Sequence, residues 1–334
     1  MDNKDIVITS AFRTAISSLD GGLSEYSASE LGSFVIKKCM EHSNLQKDDV
    51  DTVYMGQVLQ AGAGQNPARQ SAMKAGIEKS TSATTINQVC GSGLSAISLG
   101  FNSLKLKDTK IVIAGGQESM TNSPHFINFR KDKILLENKL KDSMIVDGLI
   151  DFYNQYHMGV TAENVAKKFS ISRNDQDLFA YKSQIKTKEA IDNGKFNDEI
   201  VSIKLKTGST FNKDEHPRMD VDIEKLSKLK PAFKENGTVT AGNSSGINDG
   251  AASVVLMSYE DAKKKKLNPL AKIVSWAQCG VDPSLMGTGP INASKEALKK
   301  AGWKKDELDI IESNEAFAAQ AIAVNKELGL DPNI

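Results

Sequence analysis

Cysteine is scarce in this sequence: Cys39, Cys90 and Cys279 are the only three in 334 residues, widely separated and in no CxxC or zinc-like spacing. A disulfide framework is therefore not what organises the fold, and a reducing, cytoplasmic setting is expected. Excess charge is absent too, because 42 basic residues balance 42 acidic ones. No global field recruits nucleic acid or an anionic membrane surface, and neither is expected as a partner. No apolar run approaches the roughly 18 residues of a membrane span, and the opening MDNKDIVITSAFRT has a strand-like apolar core rather than a secretory segment. Histidine is limited to His42, His125, His157 and His216, and no metal constellation stands out.

What is present is an alternation. DIVITSAF, DTVYMGQVL, SATTINQV and TKIVIAGGQES read as strands, and SASELGSFVIKKCMEHS, NPARQSAMKAGI and SGLSAISLGFNSLKL as helices. Such alternation predicts a mainly parallel sheet with helical crossovers. Residues 120–240 turn polar and helix-loop in character, with helices opened by Thr161 and by an S-x-x-D capping signature at Ser172–Asp175. They read as an inserted layer over the sheet. Strands are expected again in GAASVVLMS, LAKIVSWAQCG and LDIIES. A faint repeat relates VIKKCMEHSNLQKDDVDTVYMGQV to ALKKAGWKKDELDIIESNEAF, each a helix, an acidic turn and a strand. Extending the second copy as far as the first continues predicts a half-fold short by about 40 residues.

The most informative stretch is TTINQVCGSGLSAISLG, residues 84–100. A lone cysteine is most often a small buried hydrophobe, and Cys39 and Cys279 are read that way. Cys90 differs, since it follows a strand and precedes a helix whose Leu94, Ile97, Phe101 and Leu104 recur at helical spacing. The positive end of that helix favours a thiolate, and Gly91 and Gly93 allow a tight turn with amides open to a carbonyl oxygen. A rival stays open. GSGLSA also fits the dinucleotide fingerprint G-x-G-x-x-A, with Glu118 about 20 residues on as its acidic partner. An activated thiol needs a base and a positioned polar group. His157 in YNQYHMGVTAEN and Asn314 in SNEAFAAQ, after a predicted strand, are the candidates.

In chain order, RTAISSLDGGLSE, GQNPARQ, NQVCGSGLSAI, GGQESMTNSP, YHMGVTAEN, TVTAGNSSGINDGAA, MGTGP and SNEAFAAQ resemble the thiolase family over essentially the whole chain. The resemblance implies an α/β fold of two like halves, each a mixed, mainly parallel sheet with helices, plus an inserted loop domain. The expected division is 1–119 completed by 248–268, the loop domain 120–247 covering coenzyme A, and 269–334. The implied activity is that of an acetyl-CoA C-acetyltransferase: reversible condensation of two acetyl-CoA to acetoacetyl-CoA and CoA through an acetylated Cys90. CoA and acetyl-CoA serve as substrates, no cofactor stays bound, and the assembly is a homotetramer with contacts around residues 121–145. Asn314 takes the place of the residue that orients a polarising water. Leu149, His157 and Met158 line the substrate and pantetheine tunnel, and Arg218, Leu229, Phe233, Ala241, Ser245, Met286, Ala316 and Phe317 surround coenzyme A. An imidazole and a methionine in HMG narrow the pocket toward short acyl chains, the alternative being a thiolase of broader chain length. Two family motifs are missing: no Gly-His-Pro and no Cys-x-Gly follows, since the last histidine is His216 and the last cysteine Cys279. The chain as given is thus expected to have a nucleophile without its bases, and a non-catalytic CoA-binding protein is the further alternative.

Overall fold

The computed structural model describes residues 1–127 and 140–331. Two compact units emerge: residues 1–148, 196–216 and 247–273 form the first, and 149–195, 217–246 and 274–334 the second. Residues 120–247 contribute to both.

The first unit is built on strands β1 (Ile6–Thr14), β2 (Ser17–Ser18), β3 (Thr52–Gly56), β4 (Ser82–Ile86) and β5 (Ile111–Ser119), with helices α1 (Ala28–His42), α2 (Pro67–Lys74) and α3 (Ser92–Leu106) between them. Short pairs β6 (His125–Phe126) with β7 (Lys141–Asp142), and β9 (Ile203–Lys204) with β10 (Thr210–Phe211), form separate ribbons. β8 (Ile200–Val201), β11 (Asn248–Ser258), α7 (Tyr259–Lys264) and β12 (Ala271–Lys272) complete it. The main sheet runs β12-β1-β11-β5-β3-β4, with β2 on β11 and β8 on β1. β3 pairs in parallel with β4 and β5, whereas β11 is antiparallel to both β1 and β5. Four of the five long strands therefore point one way and β11 alone opposes them, giving the mixed, mainly parallel sheet expected.

Period-two alternation divides the core into two faces. Val53, Met55, Ile113, Val255 and Met257 pack with Ile36, Cys39 and Met40 of α1 and Ala68 and Ala72 of α2, and Val112, Ala114 and Leu256 pack with Ala96 and Leu104 of α3. Because both faces are covered there, the first half of β5, residues 111–114, is wholly apolar. α1 starts in a capping box between Ser27 and Glu30. Cys39 is fully buried and its thiol donates to the Ser253 carbonyl at 3.2 Å, the structural role expected of it. Cys279 is exposed instead.

The second unit is helical: α4 (Met158–Lys168), α5 (Arg173–Asp192), α6 (Ile223–Ser227), α8 (Gly289–Ala301) and α9 (Ala318–Leu328). Val165, Ala166, Ile171, Ala319 and Ala323 form one small core. Glu163, inside α4, accepts the N–H groups of Thr238 and Val239 at 2.7 and 2.8 Å, and Asp177 of α5 accepts the Asn243 amide at 2.9 Å. Buried carboxylates thus pin the TVTAGN loop to the helices. Two sequence expectations fail here. LDIIES is no strand, and of LAKIVSWAQCG only Ala271–Lys272 pairs; among the described residues neither stretch has a further ladder partner, and a strand exists only through its neighbour's hydrogen bonds. Helix α4 also starts earlier than Thr161, at Met158, because the His157 side chain caps it.

Candidate active site

β4 ends at Ile86 and α3 starts at Ser92, so residues 87–91 make the turn that carries Cys90. Ser92 folds back over it, its hydroxyl donating to the Val89 carbonyl at 2.6 Å and accepting the Gln88 N–H at 2.8 Å. Asn87 Oδ1 accepts the Val89 N–H at 3.0 Å, and Asn87 Nδ2 donates to the Val58 carbonyl at 3.4 Å. These bonds hold Val89 at φ 48°, a left-handed conformation that costs a β-branched residue about 1–3 kcal/mol. Gly56 at the end of β3 is required for the approach of α3: a Cβ there would lie 2.6 Å from the Ser92 Cβ. Gly91, by contrast, has φ −82°, and Gly93 sits in the first turn of α3, so neither uses glycine's left-handed freedom. A Cβ on Gly93 would meet nothing within 4 Å, so no close contact requires glycine there.

Cys90 is exposed at the turn, yet its thiol titrates above the ordinary range. Burial of the sulfur is the first cause, the residue's own backbone N–H opposes it, and the Glu118 carboxylate adds to it. Desolvation and the nearby carboxylate thus act against the thiolate that the helix end favours. Glu118 is the penultimate residue of β5, with Oε2 accepting the Val58 N–H at 2.8 Å and Oε1 the Leu59 N–H at 3.2 Å. Burial pushes its carboxyl up to about 7, with Asp249 contributing and the two amides opposing. A buried chain runs alongside, from the Ser71 hydroxyl to Gln117 at 2.6 Å, from Gln117 to Gln57 at 3.0 Å and from Gln57 to the Leu59 carbonyl at 2.9 Å. Sequence reasoning gives Glu118 only a ribose, in the dinucleotide alternative. Its carboxyl is committed to backbone amides, and β4, which feeds the glycine turn, is the edge of the sheet, so that alternative loses its footing. The signal available was a carboxylate near the end of a strand that opens with the apolar run IVIA.

In the second unit the family-matched residues fall into a cluster and a periphery. The His157 ring stacks on Phe233 at 4.6 Å, and Phe233 meets Phe317 edge-on at 6.0 Å. Gly159 permits this stack, since a Cβ would sit 2.1 Å from the Phe233 ring. Met158 and Ala316 pack on the same cluster, and the Ser245 N–H donates to the Ala316 carbonyl at 3.0 Å. His157 Nδ1 accepts the Gly159 N–H at 3.0 Å, which places the proton of the neutral ring on Nε2. Burial keeps its pKa below the usual value. Leu229 lies against Gly242, and Met286 belongs to a 3-10 turn at Pro283–Thr288. Leu149 closes the π-helical turn Met144–Leu149. Arg218 and Ala241 are exposed, and the Arg218 N–H donates to Gln184 at 2.8 Å. Asn314 is exposed on irregular backbone rather than at a strand end. Among the described residues no group of three or more His, Cys, Asp or Glu could hold a metal ion, and no helix is long and apolar enough to cross a membrane.

The first unit defines an α/β protein that presents a thiol on the turn from a sheet-edge strand into a helix. Family comparison narrows this. Residues 6–260 match the thiolase N-terminal domain and residues 267–334 the thiolase C-terminal domain. An acetyl-CoA acetyltransferase of Rhizobium meliloti is 50% identical over 337 residues, covering 100% of this chain and 86% of the relative. One from Allochromatium vinosum is 51% identical over 334 residues, covering 98% and 85%. The crystal structure of the Bacillus anthracis acetyl-CoA acetyltransferase superposes with a TM-score of 0.94 at 40% identity, over 98% of this chain and 84% of that one. The chain belongs to the thiolase family of acyltransferases.

Proposed function

We propose that this chain is an acetyl-CoA C-acetyltransferase that works through Cys90, and the observation that carries the reading is the thiol held on a strained, hydrogen-bonded strand-to-helix turn. The relatives' names supply the acyl donor. In the forward direction the Cys90 thiolate attacks the thioester carbonyl of acetyl-CoA, the oxyanion collapses, and CoA leaves with a proton. A base then removes an α-proton from a second acetyl-CoA, and the resulting carbanion attacks the acetyl-Cys90 carbonyl, releasing acetoacetyl-CoA and the Cys90 thiolate. Because the thiol titrates high, the first step needs a base. Within these 334 residues the family's Gly-His-Pro histidine and Cys-x-Gly cysteine have no counterpart.

Asn314 serves as the water-orienting amide. The apolar cluster of His157, Met158, Phe233, Ala316 and Phe317, with Leu149, Leu229, Ala241, Ser245, Met286 and Arg218, serves the pantetheine arm and nucleotide of CoA, under cover of residues 120–247. An arm with few hydrogen-bonding groups suits such an apolar lining. CoA is a passing substrate, the setting is cytoplasmic, and four copies assemble. Residues 128–139 of the stretch assigned to tetramer contacts lie outside the described residues.

Incubation with acetyl-CoA followed by intact mass and peptide mapping tests the reading. One acetyl group on Cys90, lost in Cys90→Ala, is expected; acetylation elsewhere or none would remove Cys90 from the mechanism. Steady-state cleavage of acetoacetyl-CoA by these 334 residues is expected to be at least about a hundredfold below that of a thiolase with both motifs, the loss general-base catalysis accounts for. A normal rate would show that another group supplies the base.

A further inference from the structure

Glu118 lies outside every role assigned above, yet it is bonded to the turn that carries Cys90 through three hydrogen bonds. Its Oε2 accepts the Val58 N–H at 2.8 Å, the Val58 carbonyl accepts Asn87 Nδ2 at 3.4 Å, and Asn87 Oδ1 accepts the Val89 N–H at 3.0 Å. Val89 is the residue held at φ 48°, and Cys90 follows it. The second carboxyl oxygen takes the Leu59 N–H at 3.2 Å, and the Leu59 carbonyl is tied by Gln57 into the buried chain from Ser71. The segment 57–59 is thus clamped from both sides. A simple anchor of two amides would be served as well by a carbonyl or a side-chain amide, whereas a carboxyl there brings a charge beside a thiol whose own ionisation it opposes.

We propose that Glu118 is a positioning residue for Cys90: through Val58 and Asn87 it fixes the strained Val89 turn, and through its charge it sets the pH at which the thiol becomes a thiolate. The proposal rests on Cys90 being the nucleophile. The groups that face Glu118 are few. Among the described residues, Asp249 on β11 and Cys90 in the turn before α3 are the titrating groups that interact with it, and Val58 and Leu59 present amides. The protonated carboxyl leaves Cys90 freer to ionise and the carboxylate suppresses it. With Glu118 titrating about 7, the suppression sets in across neutral pH, before most of the Cys90 thiol ionises, and bends the rise of the thiolate fraction there.

The test is the rate of Cys90 alkylation by iodoacetamide against pH, followed by mapping the Cys90 peptide so that exposed Cys279 is scored separately. In Glu118→Gln the midpoint is expected to move to lower pH, with alkylation at pH 8 at least about threefold faster, as removal of one nearby carboxylate requires. Asn87→Ala breaks the hydrogen-bonded chain and keeps the charge; it is expected to lower the acetylation rate without moving the midpoint. Superimposable profiles for Glu118→Gln and the unaltered protein would overturn the proposal. If Glu118→Gln does not fold, the unaltered protein decides: an inflection near pH 7 in its own profile supports the coupling, and a single smooth ionisation overturns it. Alkylation needs no CoA chemistry. A shifted profile with no acetyl-Cys90 would therefore retire the acyl-transfer reading alone, and acetylation with an unshifted profile would retire this one alone.

Discussion

Val89 shows how much of the turn that carries Cys90 is decided one residue at a time. Nothing in the letters INQVCGSG says that a β-branched residue occupies a left-handed conformation, because the cost is local while the bonds that meet it come from Asn87 and Ser92. Val89→Gly removes the strain and the turn's stiffness together. Its expected effect is stability unchanged or higher by up to about 1 kcal/mol, offset by the entropy glycine loses on folding, with slower acetylation of Cys90. Chemical denaturation and acetyl-CoA labelling read the two effects separately; faster acetylation would mean that the strain is not used. His157 teaches the same lesson from the other side. Its position was legible as a candidate, but its Nδ1 is spent on the Gly159 N–H, and only the structure shows that this nitrogen is a cap.

At the scale of elements, capping and periodicity were readable. Ser172 and Asp175 form the predicted capping box of α5, with the Ser172 hydroxyl accepting the Asp175 N–H at 3.1 Å. Ser172→Ala is expected to lower stability by about 1 kcal/mol, measured by urea denaturation, with no change in the midpoint of Cys90 alkylation; an unchanged urea midpoint would show the α5 start to be held by packing alone. Close approach between elements was not readable. Gly56 looks like an ordinary strand end, yet Gly56→Val would drive a side chain into Ser92. That substitution is expected to cost at least about 2 kcal/mol and to slow Cys90 acetylation more than tenfold; a fully active variant would show that α3 can shift away freely. The strands expected at LAKIVSWAQCG and LDIIES failed for the complementary reason. An apolar alternating stretch is only half a strand, and its partner is a property of the fold.

For the whole molecule, pH links the site to stability. The folded pKa of Glu118, about 7, lies above its ordinary value of 4.5. Its favourable contribution is therefore fully present below pH 4.5 and is lost as pH rises through about 7, by about 3 kcal/mol. Glu30 works in the opposite sense: burial alone would raise it, but the Ser27 hydrogen bonds and Lys74 win and hold it low, so its contribution is present above its ordinary pKa and lost on acidification. Glu118→Gln is expected to flatten the decline in denaturation midpoint between pH 5 and 8 and to leave the acid limb as it is. A parallel decline in the variant would place the alkaline loss elsewhere.

The sequence by itself determined the elements and the chemistry available to them: apolar alternation made the two-faced sheet, caps started α1 and α5, and eight ordered motifs carried the family. Those are properties of neighbours along the chain, where sterics and hydrogen bonds act at fixed spacing. The tertiary structure alone decided the ionisation of the candidate nucleophile and the importance of Glu118. Charge, burial and hydrogen-bond partners at a site come from residues such as Val58, Asn87 and Asp249, which are distant from Glu118 in the chain and which no spacing rule connects.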